Sequence, residues 1–211
     1  MSRLFIASLV VVCLLGASHV SWAQTVSAGF KAGVTAARLP GVTDAVEDAV
    51  GVAVDEESRW GGTGGVFVTW RLNDLVAFQP EVLYAVKGTT LVGGAGASSY
   101  SLAFDTRYLD IPLLFRLGRP SQRLYVLAGP YVGFRLDGEA REVVGAVTET
   151  QDVADQIKRV DAGIAFGVGS TFDRFLLEVR WTEGLRDVES ADRFGTAVRH
   201  RVLAVLAGFR F

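Results

Sequence analysis

Residues Leu75–Gly88 read LVAFQPEVLYAVKG, and the period of this stretch decides the fold. Val76, Phe78, Pro80, Val82, Tyr84 and Val86 fall on one face of an extended chain, and Ala77, Gln79, Glu81, Leu83, Ala85 and Lys87 on the other. The first face is apolar throughout. The second mixes small residues with charges of both signs. The run also outlasts the usual soluble strand of ~5–6 residues and passes the ~9–11 that a tilted strand needs to cross a bilayer.

The same sorting recurs outward from this strand. Leu109, Ile111, Leu113 and Phe115 oppose Tyr108, Asp110, Pro112, Leu114 and Arg116. Val160, Ala162, Ile164, Phe166 and Val168 oppose Arg159, Asp161, Gly163, Ala165, Gly167 and Gly169. Phe175, Leu177, Val179 and Trp181 oppose Leu176, Glu178, Arg180 and Thr182. Eight strands are predicted: Val26–Ala37, Gly62–Leu72, Leu75–Leu91, Tyr100–Leu117, Arg123–Leu136, Ile157–Phe172, Arg174–Leu185 and Ala197–Phe211. The links alternate in length. Those at 73–74, 118–122 and 173 are minimal, whereas 38–61, 92–99, 137–156 and 186–196 are long. Strict alternation of short turns and long loops is the pattern of an up-and-down barrel crossing an outer membrane, with short turns on the periplasmic side and long loops outside.

The N-terminus agrees with export. Arg3, the apolar run Leu4–Gly16 and the small residues Ser21 and Ala23 form a secretory leader, with cleavage expected after Ala23. Residues 1–23 are thus read as a signal peptide and 24–211 as one barrel domain. An uncleaved anchor is disfavoured because the run falls short of the ~20 residues of a helical span. The single cysteine, Cys13, lies in the leader, so no disulfide framework is expected. The formal net charge of −2 gives no reason to expect nucleic acid as a partner. The expected partners are outer-membrane lipid and, during insertion, the assembly machinery.

An eight-stranded barrel has an interior just wide enough for side chains. Lys31, Glu81, Lys87, Asp110, Arg116, Asp161, Glu178, Arg180 and Arg201 are therefore expected to meet in the lumen, because charges withdrawn from water need partners. A soluble lipocalin-like barrel would reverse the two faces. Chemistry is poorly provided for. His200 is the one histidine after the leader, which leaves no triad and no multi-histidine metal site. Its parity sets it with Val202, Ala204 and Leu206 rather than with Arg199 and Arg201, away from the lumen charges. No enzyme activity, cofactor or metal is expected. The loops carry Asp44, Glu47, Asp48, Asp55, Glu56 and Glu57, and again Asp137, Glu139, Glu142, Glu149, Asp152 and Asp155. They are read as a solvated acidic surface without a calcium-loop spacing. Trp60, Trp70, Tyr84, Tyr100, Tyr125, Tyr131 and Trp181 are read as interfacial girdle aromatics. Pro80, Pro112 and Pro130, on consecutive strands at about one height, are expected to mark bulges or a gap in pairing, since proline gives no ladder N–H.

The phrases FQPEVLYAVKG (78–88), YLDIPLLFRL (108–117), YVLAGPYVGF (125–134), EVRWTEGL (178–185) and GFRF (208–211), in this order, resemble the PorT family of small outer-membrane β-barrels from Bacteroidetes. The resemblance implies the barrel and an outer-membrane location. It also implies a link to protein secretion, since the family's founding member has one; no site residue carries over. The terminal Phe209 and Phe211, continuing Leu203, Val205 and Ala207, resemble the sorting signal read by the outer-membrane assembly machinery. The same residues are what a closing strand needs for its lipid face. The leading expectation is a non-enzymatic structural or interaction barrel, with a narrow solute pore and a secretion accessory as alternatives.

Overall fold

The computed structural model describes residues 26–38, 54–93, 100–144, 147–152, 158–185 and 199–211. The leader, Asp44, Glu47, Asp48 and Asp155 lie outside these residues. The strands are β1 Val26–Arg38, β2 Val54–Arg71, β3 Val76–Gly93, β4 Tyr100–Leu117, β5 Leu124–Val144, β6 Val147–Asp152, β7 Val160–Phe172, β8 Phe175–Gly184 and β9 Arg201–Arg210.

Every pairing is antiparallel. The ring runs β1–β2–β3–β4–β5–β7–β8–β9 and closes where β9 returns to β1, so eight strands form the barrel. Phe30 lies opposite Phe209 and Val34 opposite Val205 at this closure. Closure removes the edges, which a sheet in hydrocarbon cannot tolerate. The ninth strand, β6, pairs only with the outer end of β5, as a hairpin on top of the ring.

Short turns hold one end. Asn73 Oδ1 accepts the backbone N–H groups of Leu75 and Val76, both at 2.9 Å, which fixes the β2–β3 turn. Asp173 has φ of 57°, a left-handed conformation that Asp tolerates, and lets Phe172 pair directly with Phe175.

The two faces are inverted relative to a soluble barrel. Phe30, Val34, Val66, Trp70, Phe115, Phe166, Val168 and Phe175 point outward and are exposed, whereas Lys31, Glu81, Lys87, Asp161, Glu178 and Arg180 are buried inside. Soluble monomers seldom expose apolar patches beyond a few hundred Å²; a continuous belt around the molecule belongs in lipid. The lipocalin-like alternative fails on this ground.

The structure corrects two boundary expectations. Residues 54–61, read as loop, belong to β2, and most of the 137–156 loop is strand in β5 and β6. Acids expected on loops, including Asp55, Glu57, Glu139 and Glu149, therefore sit on strands. The strands β2 to β5 are 18, 18, 18 and 21 residues long, against 10 to 13 for β7, β8, β9 and β1. One side of the barrel thus rises well beyond the ~9–11 residues of a crossing strand.

The prolines make no bulges, but they mark the expected gaps in pairing: pairs are missing at 79–80 between β2 and β3, at 81–82 between β3 and β4, and at 129–130 between β4 and β5. The register is the same on either side of Pro80 and Pro112, and Pro130 lies within an unbroken run of pairs with β7. The shifts occur elsewhere, at Ser58/Thr63 and Arg107/Tyr108. Pairing lapses beside the prolines, yet β4 and β5 stay close: a Cβ added at Gly129 would sit 2.1 Å from the Leu113 carbonyl oxygen.

Candidate functional site

The inward face of the strands builds two polar clusters, one above the other. The first draws on β1, β3 and β8. Lys31 Nζ reaches Glu81 at 2.9 Å and Glu178 at 2.9 Å. Arg180, from its place two residues past Glu178, donates to both oxygens of Glu81 at 2.7 and 2.9 Å and to Glu178 at 2.7 Å. Gln79 donates to Glu81 at 2.8 Å, and Thr69 donates to Gln79. The Tyr125 hydroxyl donates to Glu178 at 3.0 Å. Two cations thus balance two carboxylates, and the side chains of Lys31, Glu81 and Glu178 have no exposed surface. Buried ion pairs of this kind roughly break even with apolar packing, but losing one partner is costly.

The second cluster lies toward the long-loop end. Lys87 Nζ is 2.9 Å from Asp110 and 3.4 Å from Asp161, and sits over the rings of Tyr108 and Tyr131. Tyr131 donates to Asp161 at 2.9 Å. His200 Nδ1 approaches Asp161 at 3.3 Å without hydrogen-bond alignment, and its ring stands edge-on to Tyr108. Between the clusters is a cavity of about 40 Å³ touching Thr35, Thr63, Tyr131, Arg180 and Thr182. On the same measure one water needs roughly 10–15 Å³, so there is room for a few waters only.

The sequence expectation thus divides as follows. Lys31, Glu81, Glu178 and Arg180 meet in one cluster; Lys87, Asp110 and Asp161 meet in the other. Arg116 faces inward but joins neither: it donates to Thr171 at 2.9 Å and stacks 3.5 Å from the Tyr125 ring centre. Arg201 is a correction. It lies on the outer face of β9 with Leu203 and Val205, opposite Arg38, and pairs with Glu183 at 2.9 Å. The physical reason is parity, since the lumen set of β9 is Val202, Ala204 and Leu206. His200 shares that parity and is buried in the lumen, which corrects the expectation that the lumen holds no histidine. Tyr125 and Tyr131, read as girdle residues, are likewise inside, where their hydroxyls serve the carboxylates. Among the described residues, no group of three His, Cys, Asp or Glu is arranged to hold a metal ion.

Above the belt, Arg59 makes two 2.6 Å hydrogen bonds to Asp105, which hold its guanidinium still more firmly protonated. Arg107 pairs with Asp137.

The model of a family described as outer membrane protein beta-barrel domain matches residues 22–190. The chain belongs to that family. Its barrel accordingly lies in an outer membrane. No curated protein matches the chain. Among solved structures, it is similar to Ail, the attachment invasion locus protein of Yersinia pestis, at 14% identity, over 88% of this chain and 98% of that one, with a TM-score of 0.38. It is similar to Neisserial surface protein A at 13% identity, over 87% and 97%, with a TM-score of 0.41. OprG from Pseudomonas aeruginosa matches at 13% identity, over 88% and 94%, with a TM-score of 0.41.

Proposed function

We propose that this outer-membrane barrel is a non-enzymatic structural or interaction protein whose lumen is occluded and whose raised side, β2 to β6, is the presenting element. The observation that carries this reading is the buried cluster of Lys31, Glu81, Glu178 and Arg180. It spans the lumen with matched charges, and water or a solute crossing it has to break bonds of 2.7–3.0 Å. The raised strands add acidic residues at Asp55, Glu56, Glu57, Glu139, Glu142, Glu149 and Asp152, suited to a partner of opposite charge.

The finer expectations belong to the same proposal. The PorT likeness rests on the five phrases quoted above, and a secretion role rests on that likeness; co-purification with a secretion complex tests it. Export by a leader cleaved after Ala23 is checked by the mass of the mature chain, which begins at Gln24. The assembly machinery and outer-membrane lipid are the proposed partners.

Planar-bilayer recording of the refolded protein tests occlusion. No stable conductance steps are expected. Reproducible ohmic steps from the wild type would replace this reading with the narrow pore.

A further inference from the structure

The cluster of Lys31, Arg180, Glu81 and Glu178 is charge-matched, but the short-turn mouth of the lumen is not. Arg71 at the end of β2 pairs with Ala77 of β3, and Ala77 pairs with Arg116 of β4. The two arginines therefore share the inward face, one strand apart. Arg210, at the end of β9, lies opposite the buried Gly29 and shares that face from the other side of the ring.

None of the three has a carboxylate partner. Arg116 donates to the Thr171 hydroxyl and stacks on Tyr125. Arg210 donates to the Asp173 carbonyl oxygen at 3.2 Å. Among the described residues, neither Asp74, Asp173 nor the terminal carboxylate of Phe211 forms an ion pair with them, and Glu178 is saturated by Lys31, Arg180 and Tyr125. Three like charges on one inward face at a half-buried opening repel one another unless an anion balances them. Guanidinium groups present planar pairs of donors that match the oxygens of a phosphoryl group. Thr171 supplies a hydroxyl at the same place.

We infer that the short-turn mouth of the lumen is a binding site for a phosphoryl group, held by Arg71, Arg116 and Arg210. The group comes either from a soluble phosphorylated molecule or from a phospholipid headgroup of the facing leaflet. The site lies below the occluding cluster and needs no passage through it.

Inorganic phosphate is the probe. The refolded wild-type barrel is melted in a zwitterionic detergent at constant ionic strength while phosphate replaces chloride. A saturable rise in melting temperature is expected. Arg71→Gln should melt higher than the wild type in chloride alone, because repulsion is relieved, and should lose most of the phosphate-induced rise. Arg71→Gln/Arg210→Gln should lose it entirely while keeping Arg116 on Tyr125. Arg119→Gln, the same single charge change as Arg71→Gln but on the exposed β4–β5 turn of the same end, should respond to phosphate as the wild type does. In nanodiscs, phosphate losing its effect once anionic phospholipid is present identifies the headgroup as occupant; an undiminished effect identifies the soluble group. An equal phosphate response in wild type and both mouth variants, or none in any, overturns the site.

Discussion

Replacing Arg180 with methionine tests whether the occluding cluster behaves as the geometry requires. Arg180 is buried and supplies three donors, two to Glu81 and one to Glu178. After Arg180→Met, Lys31 alone faces two carboxylates, so one buried negative charge goes unbalanced. Breaking a buried pair by removing one partner costs about 3–5 kcal/mol. With a urea dependence of ~1–3 kcal/mol per molar, the unfolding midpoint falls by about 2 M. The assay is urea unfolding of the protein in detergent or vesicles, read by the share of unboiled protein that migrates as the folded band. Arg180→Met/Glu81→Gln removes one charge of each sign and leaves Lys31 against Glu178 at 2.9 Å. It should recover at least half of the loss. A single variant within about 0.5 kcal/mol of wild type would refute the reasoning, as would a double variant worse than the single one.

Three further outcomes follow from the same interior and its closing strand. A Cβ at Gly169 would lie 2.3 Å from the Tyr125 ring, so Gly169→Val should displace that ring from Glu178 and destabilise by about 1–3 kcal/mol in the same assay. His200→Ala vacates a fully buried ring that stands edge-on to Tyr108 and should cost about 2–4 kcal/mol; a neutral result would show that the ring is not packed into the lumen. Phe211 is 69% exposed, so Phe211→Ala should leave the refolded barrel's urea midpoint nearly unchanged while lowering the amount assembled in cells. Equal assembly would remove the sorting role from this residue.

The sequence made the barrel legible because lipid and lumen impose opposite demands on alternate residues. Val76 to Val86 and Ala77 to Lys87 could hardly be sorted otherwise. Where lipid stops, that signal stops too. The stretches DGEAREVV (137–144) and VTETQD (147–152) pair as strands without an apolar face, and they read as loop. Parity within β9 held more than was taken from it: Leu203, Val205 and Phe209 on the lipid side already fix Arg201 outward and His200 inward. The tyrosines were ambiguous for a different reason. A tyrosine suits both an interface and a lumen, and only its strand parity separates Tyr84, outside, from Tyr125 and Tyr131, inside. Nor does composition reveal that nine charged candidates split into two separate clusters with Arg116 and Arg201 left over. That division depends on which strands face one another across the ring.

The central claim is a closed, membrane-embedded eight-stranded barrel, and the direct test is electrophoretic mobility of the detergent-extracted protein with and without boiling. A faster unboiled band that converts to full apparent mass on boiling is the predicted result. A single band under both conditions, from a protein that stays soluble without detergent, would contradict the account.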